Sequence, residues 1–281
     1  SDRYGFNNPN TEWDKKEIEY LLVGDSFTVG ACVNTPNDIS SILRTLSNKS
    51  VLNLGQIGNG PIIEYATLRE YLDNNVQKVL WFYYEGNDLW NYKNEKNNNI
   101  LVNYLNNLNF TQNLKLKQNE IDHLSIKKIN ESMADIQQEY TNIFDISIIF
   151  IRLDKIRTLL SNYLPENQQQ FFFNQKLTNF ETIEIKKIFK LSKELVEKNN
   201  SKLYFVYLPH YHRYKMNYDN NNYNLIKNIV SELNISFIDI HKEVFEKNKD
   251  PLKLFPFEKV GHYNVEGYKK ITETIYKLIK D

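Results

Sequence analysis

Residues 24–30 read GDSFTVG and directly follow the apolar run Ile18–Val23, which reads IEYLLV. A short apolar run of this kind is typical of a strand that is buried on both faces of a parallel sheet. The Gly-Asp-Ser turn then places the hydroxyl of Ser26 at the carboxyl edge of the sheet, where ligands bind in open α/β folds. A serine in this position either acts as a nucleophile or caps the next helix, and the turn alone favours neither role.

Strand and helix patterns alternate on either side of a long interruption. Apolar runs predict four further strands, over residues 51–54, 79–84, 203–208 and 236–240. Helical spacing of apolar residues predicts helices over residues 37–46, 62–72, 182–198 and 223–233. A terminal helix is predicted after its N-cap Asn264, with an apolar stripe of Tyr268, Ile271, Ile275, Leu278 and Ile279. This alternation favours a doubly wound parallel sheet, so the predicted fold class is α/β.

The regular alternation stops between about residues 91 and 180. Residues 91–120 are rich in Asn and Lys and are interpreted as a loop or a loosely helical segment, whereas residues 121–165 have helical periodicity. Residues 168–173, QQQFFF, fit a strand, a loop or the edge of a lid equally well. Because the chain shows no internal repeat and no linker, we predict one domain over residues 1–281 with a largely helical, Asn-rich insertion at about 91–180.

The composition is that of an ordinary globular protein, with 41% hydrophobic and 25% charged residues. The 35 Lys and Arg residues balance the 35 Asp and Glu residues, so the charge predicts no nucleic-acid partner. No run approaches the roughly 20 apolar residues that cross a bilayer. The chain begins at Ser1 without a Met, so we expect an N-terminally trimmed protein, and a membrane anchor is one kind of segment that such trimming removes. The single cysteine, Cys32, is predicted to be a small buried side chain rather than a reactive thiol.

A loop rich in histidine and tyrosine follows the predicted strand over residues 203–208. His210 and His212 lack an Asp or Cys partner at a ligating spacing, so we predict no metal and no cofactor. The loop is instead expected to face the substrate, because tyrosine rings stack well on sugar faces. The predicted substrate-binding residues are therefore Tyr211, His212 and Tyr214, together with Asp25 beside the turn serine.

Four turns are predicted to converge at one edge of the sheet, and they carry the groups that acyl transfer needs. Ser26 supplies a nucleophile, and His262, just before a capped helix, can be held in place to take its proton. Developing negative charge on the substrate oxygen needs hydrogen-bond donors. Gly58 offers a backbone N–H that no Cβ obstructs, Asn87 offers a side-chain amide, and the N–H of Ser26 is a third donor.

The order of these blocks resembles the SGNH/GDSL hydrolase family, which is named for its Ser, Gly, Asn and His. The matching blocks are Gly24-Asp25-Ser26, Gly58 within NLGQIGN, Gly86-Asn87-Asp88 and His262. The resemblance implies a flavodoxin-like three-layer α/β/α sandwich with a five-stranded parallel sheet. It also implies that Ser26 is the nucleophile, that His262 is the base, and that Ser26, Gly58 and Asn87 form the oxyanion hole. Thr28 replaces the second glycine of the Gly-x-Ser-x-Gly elbow of α/β-hydrolases, so that motif is absent.

One position departs from the family pattern. The family has an Asp three residues before the histidine, and here that position is Lys259. The group that would orient the imidazole and stabilise its charged form is therefore missing from its usual place. Glu258, Asp239 or a backbone carbonyl could replace it, and we favour a Ser–His dyad with Glu258 as a third catalytic member.

The sequence therefore predicts an SGNH-type serine esterase or O-acyltransferase. Its expected substrate is an acyl ester, most simply an acetyl ester, of a carbohydrate or cell-surface glycan. Two alternatives stay open: a lipid-directed esterase or thioesterase, and a degenerate SGNH module that binds glycan without turnover. Members of the family that modify surface glycans often work outside the cytoplasm, so the expected location is the periplasm or cell envelope.

Overall fold

A parallel five-stranded sheet forms the centre of the fold in this computed structural model, which describes residues 1–140, 177–215 and 218–280. The strands are β1 (Ile18–Val23), β2 (Val51–Asn53), β3 (Val76–Tyr84), β4 (Lys202–Leu208) and β5 (Ser236–Asp239). The helices are α1 (Ser26–Val29), α2 (Ile39–Ser47), α3 (Pro61–Tyr71), α4 (Asp88–Glu95), α5 (Asn99–Asn106), α6 (Gln118–Tyr140), α7 (Asn179–Lys198), α8 (Asn221–Glu232) and α9 (Val265–Ile279). The strand order is β2-β1-β3-β4-β5, the order of flavodoxin-like folds, so the predicted α/β class and five parallel strands are confirmed.

Side-chain alternation along the central strands separates the core into two layers. Even-numbered residues of β1, β3 and β4, such as Leu22, Leu80 and Val206, share one hydrophobic cluster with α2 and α9. Odd-numbered residues point to the opposite face, where the ring of Phe189 in α7 lies 5.7 Å from that of Trp81 and 4.9 Å from that of Phe205. Helices therefore cover both faces of the sheet, as a three-layer sandwich requires.

The two helices beneath the first face begin at side-chain caps. Asp38 accepts a hydrogen bond from the backbone N–H of Ser41 at the start of α2, and Asn264 accepts one from Gly267 at the start of α9. The cap at Asn264 is as predicted from the sequence. Most of the predicted apolar stripe of α9 is buried, but Leu278 is 49% exposed because it lies to one side of the buried Ile275 and Ile279.

The first part of the predicted insertion is more regular than its sequence suggests. Residues 91–106 lie largely in α4 and α5, whose Tyr92 and Tyr104 are fully buried. Arg69 of α3 donates hydrogen bonds to the carbonyl oxygens of Tyr104 and Leu108, at 2.9 and 2.7 Å. These residues therefore belong to the packed layer around α3 rather than to a loop.

The chain divides into two compact units. One contains Ser1–Gln112 and Asn174–Asp281, and it carries the sheet and every predicted site residue. The other contains Asn113–Phe173, of which residues 113–140 are described and include α6. The predicted segments at residues 141–165 and 168–173 lie outside the described residues, and the single domain with an insertion at 91–180 stays a prediction. Among the described helices, none is long and apolar enough to cross a membrane.

A buried carboxylate from α4 holds the start of α3. The two oxygens of Glu95 accept hydrogen bonds from the backbone N–H groups of Gly60 and Ile62, at 2.6 and 3.0 Å. The N-cap Gly60 has no side chain to cap α3, so Glu95 does this from another helix. Burial raises the pKa of Glu95 from 4.5 to about 7. This carboxylate therefore links α4 to the segment that follows the Gly58 turn.

We predict that Glu95 makes the stability of the fold depend on pH. An acid whose pKa is raised on folding stabilises the protein below its unfolded pKa, and that contribution is lost as the pH rises through the folded pKa. Between pH 4 and pH 8, the unfolding free energy of the wild type should therefore fall by about 3 kcal/mol relative to that of Glu95→Gln. Urea denaturation at both pH values measures this difference.

The matched control is Glu194→Gln on α7. Glu194 is exposed and forms an ion pair with Lys190, at 3.8 Å. The difference between its unfolding free energy and that of the wild type should stay constant within about 0.5 kcal/mol over the same pH range. Equal pH dependence for the two variants would contradict the role given to Glu95.

Candidate active site

The Gly-Asp-Ser turn fixes Ser26 at the carboxyl end of β1. Ser26 is the first residue of α1, and the Asp25 side chain caps that short helix by accepting from the N–H of Phe27 at 2.9 Å. Residue 24 must be a glycine because its backbone lies close to neighbouring atoms. A Cβ there would lie 2.2 Å from Oγ1 of Thr28 and 2.9 Å from the carbonyl oxygen of Phe82. The turn is therefore packed against β3, and the position of the serine is determined by the sheet.

The structure brings Ser26 and His262 together across 236 residues of sequence. The serine Oγ lies 2.8 Å from Nε2 of the imidazole, a hydrogen-bonding distance. The ring of Phe27 lies 4.5 Å from the His262 ring, and the neighbouring Tyr263 donates from its hydroxyl to the carbonyl oxygen of Pro209 at 2.7 Å. The imidazole is thus held between the serine turn and the capped start of α9.

The electrostatics of His262 suit a base. Burial lowers the pKa of its imidazole below the ordinary 6.5, so the ring is neutral at pH 7. A neutral imidazole has one acceptor nitrogen and one donor nitrogen. The tautomer in which Nε2 accepts from the serine hydroxyl carries its proton on Nδ1.

The structure does not bring Glu258 or Asp239 to the imidazole. The side chain of Glu258 is exposed on a left-handed backbone turn with φ of 54°, and its carbonyl oxygen accepts from the Tyr211 hydroxyl at 2.7 Å. Asp239 accepts from the Tyr223 hydroxyl at the end of β5. Within the described ranges, His262 forms no ion pair with a carboxylate. Placing Glu258 as the third catalytic member is therefore corrected, because its backbone turns its side chain to solvent.

The atom that faces Nδ1 of His262 is the sulfur of Cys32, at 3.5 Å. Cys32 is exposed rather than buried, which corrects the prediction for this residue. The sequence offered only one signal for it, its place six residues after Ser26 on the same turn. Nothing in the spacing of the chain could reveal a contact with a histidine 230 residues away.

The predicted oxyanion donors lie around the serine turn. Among the described residues, the backbone N–H groups of Ser26 and Gly58 donate to no protein acceptor. Gly58 has φ of 82°, and a Cβ there would meet no atom within 4 Å, so space is open in front of its backbone. Gln56 ties the Gly58 turn to the end of β1 by donating to the carbonyl oxygen of Gly24 at 3.2 Å.

Asn87 is joined to the same turn through Asp25. Its side-chain Nδ2 donates to Oδ2 of Asp25 at 3.2 Å, while the Ser26 hydroxyl lies 3.5 Å from that oxygen. Although Asn87 precedes α4, its side chain makes no capping bond. One hydrogen of the Asn87 side-chain amide is therefore used to orient that amide against Asp25, and the second is available to a ligand.

Asp25 is placed beneath the site and does not line it. Its side chain is fully buried and accepts from the backbone N–H of Phe27 and from Nδ2 of Asn87, while the hydroxyl oxygen of Ser26 lies 3.5 Å from its Oδ2; burial raises the pKa of Asp25 to about 6. The prediction that Asp25 binds substrate is therefore corrected. Its physical role is to connect the serine turn to the asparagine turn.

The tyrosine- and histidine-rich loop is also packed inside the protein. Tyr211 and His212 are each 3% exposed. The half-buried Tyr214 bonds through its hydroxyl to Nδ1 of His241 at 2.9 Å and stacks on Phe245, with ring centroids 5.0 Å apart. These side chains are used in packing, so the structure does not support their predicted contact with substrate. Across the described part of the chain, no cluster of His, Cys, Asp or Glu is arranged to hold a metal ion.

The same loop anchors the turn that carries Asn87. Glu85, two residues before Asn87, accepts from the Tyr207 hydroxyl at 2.6 Å, from the N–H of His210 at 3.0 Å and from Nε of Arg213 at 2.9 Å. A second nitrogen of Arg213 also bonds to Glu85, and both side chains are almost completely buried. This bidentate ion pair fixes the loop after β4 to the end of β3.

Comparison with known proteins identifies the fold. Neither a protein-family model nor a curated protein sequence matches the chain. One similar solved structure is assigned to the G-D-S-L family of lipolytic proteins and comes from Desulfitobacterium hafniense DCB-2; it is 15% identical, with coverage of 94% of this chain and 100% of that chain and a TM-score of 0.48. Another is the acetyl xylan esterase AlAXEase, which is 12% identical. The match covers 93% of this chain and 100% of that chain, with a TM-score of 0.50. The second likeness shows that this chain shares the fold of that protein.

Removing the buried guanidinium should destabilise the protein. We predict that Arg213→Met lowers the unfolding free energy by about 3–5 kcal/mol, because Glu85 is left buried without its cation. Lys186→Met is the control, because Lys186 and Glu232 form an exposed ion pair at 2.5 Å. This substitution should lower the unfolding free energy by no more than about 1 kcal/mol. Urea denaturation compares the two. A stable Arg213→Met protein would mean that the loop does not anchor the Asn87 turn.

Proposed function

We propose that the protein is an SGNH-type serine esterase or O-acyltransferase. The observation that carries this proposal is the distance of 2.8 Å between Oγ of Ser26 and Nε2 of the neutral His262. An alcohol becomes a useful nucleophile when a base within hydrogen-bonding reach takes its proton. The proposed nucleophile and base lie at the carboxyl edge of a parallel sheet, where ligands bind in this class of fold.

In the proposed reaction, Oγ of Ser26 attacks the carbonyl carbon of an ester while its proton moves to Nε2 of His262. The carbonyl oxygen becomes an oxyanion, which accepts hydrogen bonds from the N–H groups of Ser26 and Gly58 and from the Asn87 amide. The C–O bond of the ester then breaks, and the departing alcohol takes the proton from Nε2. Water or a second alcohol attacks the acyl-enzyme by the same steps, which makes the reaction hydrolysis or transfer.

The proposed substrate is an acetyl ester of a carbohydrate or cell-surface glycan. Support comes from the fold shared with a protein described as an acetyl xylan esterase. For a chain that acts on surface glycans we also propose an extracytoplasmic location, in the periplasm or cell envelope. The buried Tyr211 of the loop after β4 does not add support for a glycan.

A second candidate is an esterase of longer acyl chains. It is favoured by large apolar side chains that flank the site residues in sequence and face solvent. Ile57, beside Gly58, is 74% exposed, and Phe257 and Val260, shortly before His262, are 92% and 46% exposed. Exposed apolar surface of this kind suits an apolar part of a substrate.

The main prediction is that Ser26→Ala abolishes ester turnover. Hydrolysis of p-nitrophenyl acetate should fall by about 10³-fold or more, and Asn87→Ala should lower kcat by about 10²–10³-fold. Ser47→Ala is the matched control. The Ser47 hydroxyl donates to the carbonyl oxygen of Leu43 and accepts from the N–H of Lys49, away from the site, so the turnover of this variant should equal that of the wild type. Equal rates for Ser26→Ala and the wild type would refute the assignment.

The same assay separates the candidate substrates. Highest kcat/KM on acetyl esters, with acetate released from an O-acetylated glycan, supports the glycan esterase. A steady rise of kcat/KM from acetyl to octanoyl esters supports the second candidate. Binding of the glycan with no turnover of any ester by the wild type would instead indicate a binding module.

A further inference from the structure

We propose that Cys32 is a positioning residue for His262, and that its sulfur accepts the Nδ1–H of the imidazole where a carboxylate would otherwise do so. This inference rests on the proposed function, because it concerns how the base is held. It assigns a role to the one cysteine of the chain, which the reaction itself does not use.

The two nitrogens of the His262 ring have two different partners. Nε2 lies 2.8 Å from the Ser26 hydroxyl, and Nδ1 lies 3.5 Å from Sγ of Cys32. If the ring is to take a proton from the serine, Nε2 must be the acceptor, so Nδ1 carries the hydrogen. That hydrogen points toward the sulfur, which is a weak acceptor. The Cys32 contact therefore favours the one tautomer that is competent as a base.

The surrounding groups do not compete for Nδ1. Lys259, at the position of the family's acid, is exposed and has no acceptor to offer the Nδ1–H. The exposed Glu258 forms no hydrogen bond with the ring, and Glu266 of α9 is exposed and pairs with Lys270 at 3.5 Å. The buried carboxylate of Asp25 lies beside the serine, with Oδ2 3.5 Å from Oγ of Ser26. In the portion of the chain that is described, the sulfur is the group that faces Nδ1.

Backbone contacts fix the sulfur relative to the nucleophile. Cys32 has φ of 70°, a conformation that few residues other than glycine adopt, so its side chain is directed by the turn. The N–H of Ala31 donates to the carbonyl oxygen of Ser26 at 3.0 Å, which places both side chains on one turn. The Tyr268 hydroxyl of α9 donates to the carbonyl oxygen of Ala31 at 3.2 Å. The helix that follows His262 thus also holds the turn that carries Cys32.

A thiol can orient the ring without stabilising its positive charge. A carboxylate does both, because it accepts the hydrogen and attracts the imidazolium that forms when the serine loses its proton. Replacing Cys32 with Asp should therefore add the missing electrostatic contribution, whereas replacing it with Ala should remove the orientation. Replacing it with Ser should keep a hydroxyl oxygen as an acceptor at nearly the same place.

The first test reads the tautomer of His262 directly and needs no turnover. Ring ¹⁵N NMR spectra of the full chain are compared for the wild type, Cys32→Ser and Cys32→Ala, with the His262 signals assigned from the spectrum of His262→Asn. We expect the proton on Nδ1 in the wild type and in Cys32→Ser. In Cys32→Ala we expect a mixture in which the Nε2–H form has grown.

The second test measures kcat and KM with p-nitrophenyl acetate. Cys32→Ala should lose about tenfold in kcat with KM unchanged, as expected for one neutral hydrogen bond, and Cys32→Ser should recover most of this loss. Cys32→Asp should be at least as active as the wild type, and the acid limb of its kcat/KM profile should move to higher pH, because the carboxylate raises the pKa of His262. Val33→Ala, next to Cys32, is the control for packing of the turn and should behave as the wild type.

The inference is overturned if Cys32→Ala keeps both the tautomer and the kcat of the wild type. It is also overturned if Val33→Ala loses as much kcat as Cys32→Ala, because the loss of kcat would then come from altered packing of the turn and not from the missing sulfur. If the wild type hydrolyses no ester, the proposed function fails, and the NMR comparison alone still decides whether Cys32 orients the ring.

Discussion

The contact between the Ser26 hydroxyl and the His262 imidazole is the interaction that the arrangement of the sheet makes possible. It joins a turn after the first strand to the start of the last helix, 236 residues later. Such a contact is possible because all five strands are parallel, so the turns that follow them meet at one edge. The apolar side chains on both faces of the sheet hold that edge in place.

Three buried carboxylates then fix the turns relative to one another. Asp25 connects the serine turn to Asn87, and Glu85 ties the Asn87 turn to the loop after β4. Glu95 holds the start of α3, directly after the Gly58 turn. Burying a charge costs free energy unless the charge is hydrogen-bonded. Each of these carboxylates therefore fixes the position of its own segment relative to the segment that donates to it. The serine, glycine and asparagine turns are thus positioned by acids that lie beneath the site.

Most of the fold and the two central site residues could be predicted from the sequence. The runs at 79–84 and 203–208 and the cap at Asn264 are local signals, and local periodicity is what sequence reasoning reads best. The neighbours of His262 could not be predicted, because they depend on which side chains meet across the sheet. The left-handed backbone conformation of Glu258 directs its side chain to solvent, and the sulfur of Cys32 lies beside the imidazole instead. Likewise, the sequence predicts that Tyr211 contacts the substrate, but distant partners such as Phe255 bury it.

The most direct test of the account is to trap the nucleophile. A fluorophosphonate reacts when an activated serine oxygen attacks phosphorus and displaces fluoride, and peptide mass spectrometry then locates the modified residue. The account predicts one modified peptide, containing Ser26, and a labelling rate that falls by orders of magnitude in His262→Ala. Labelling at another residue, or an unchanged rate without the imidazole, would contradict it.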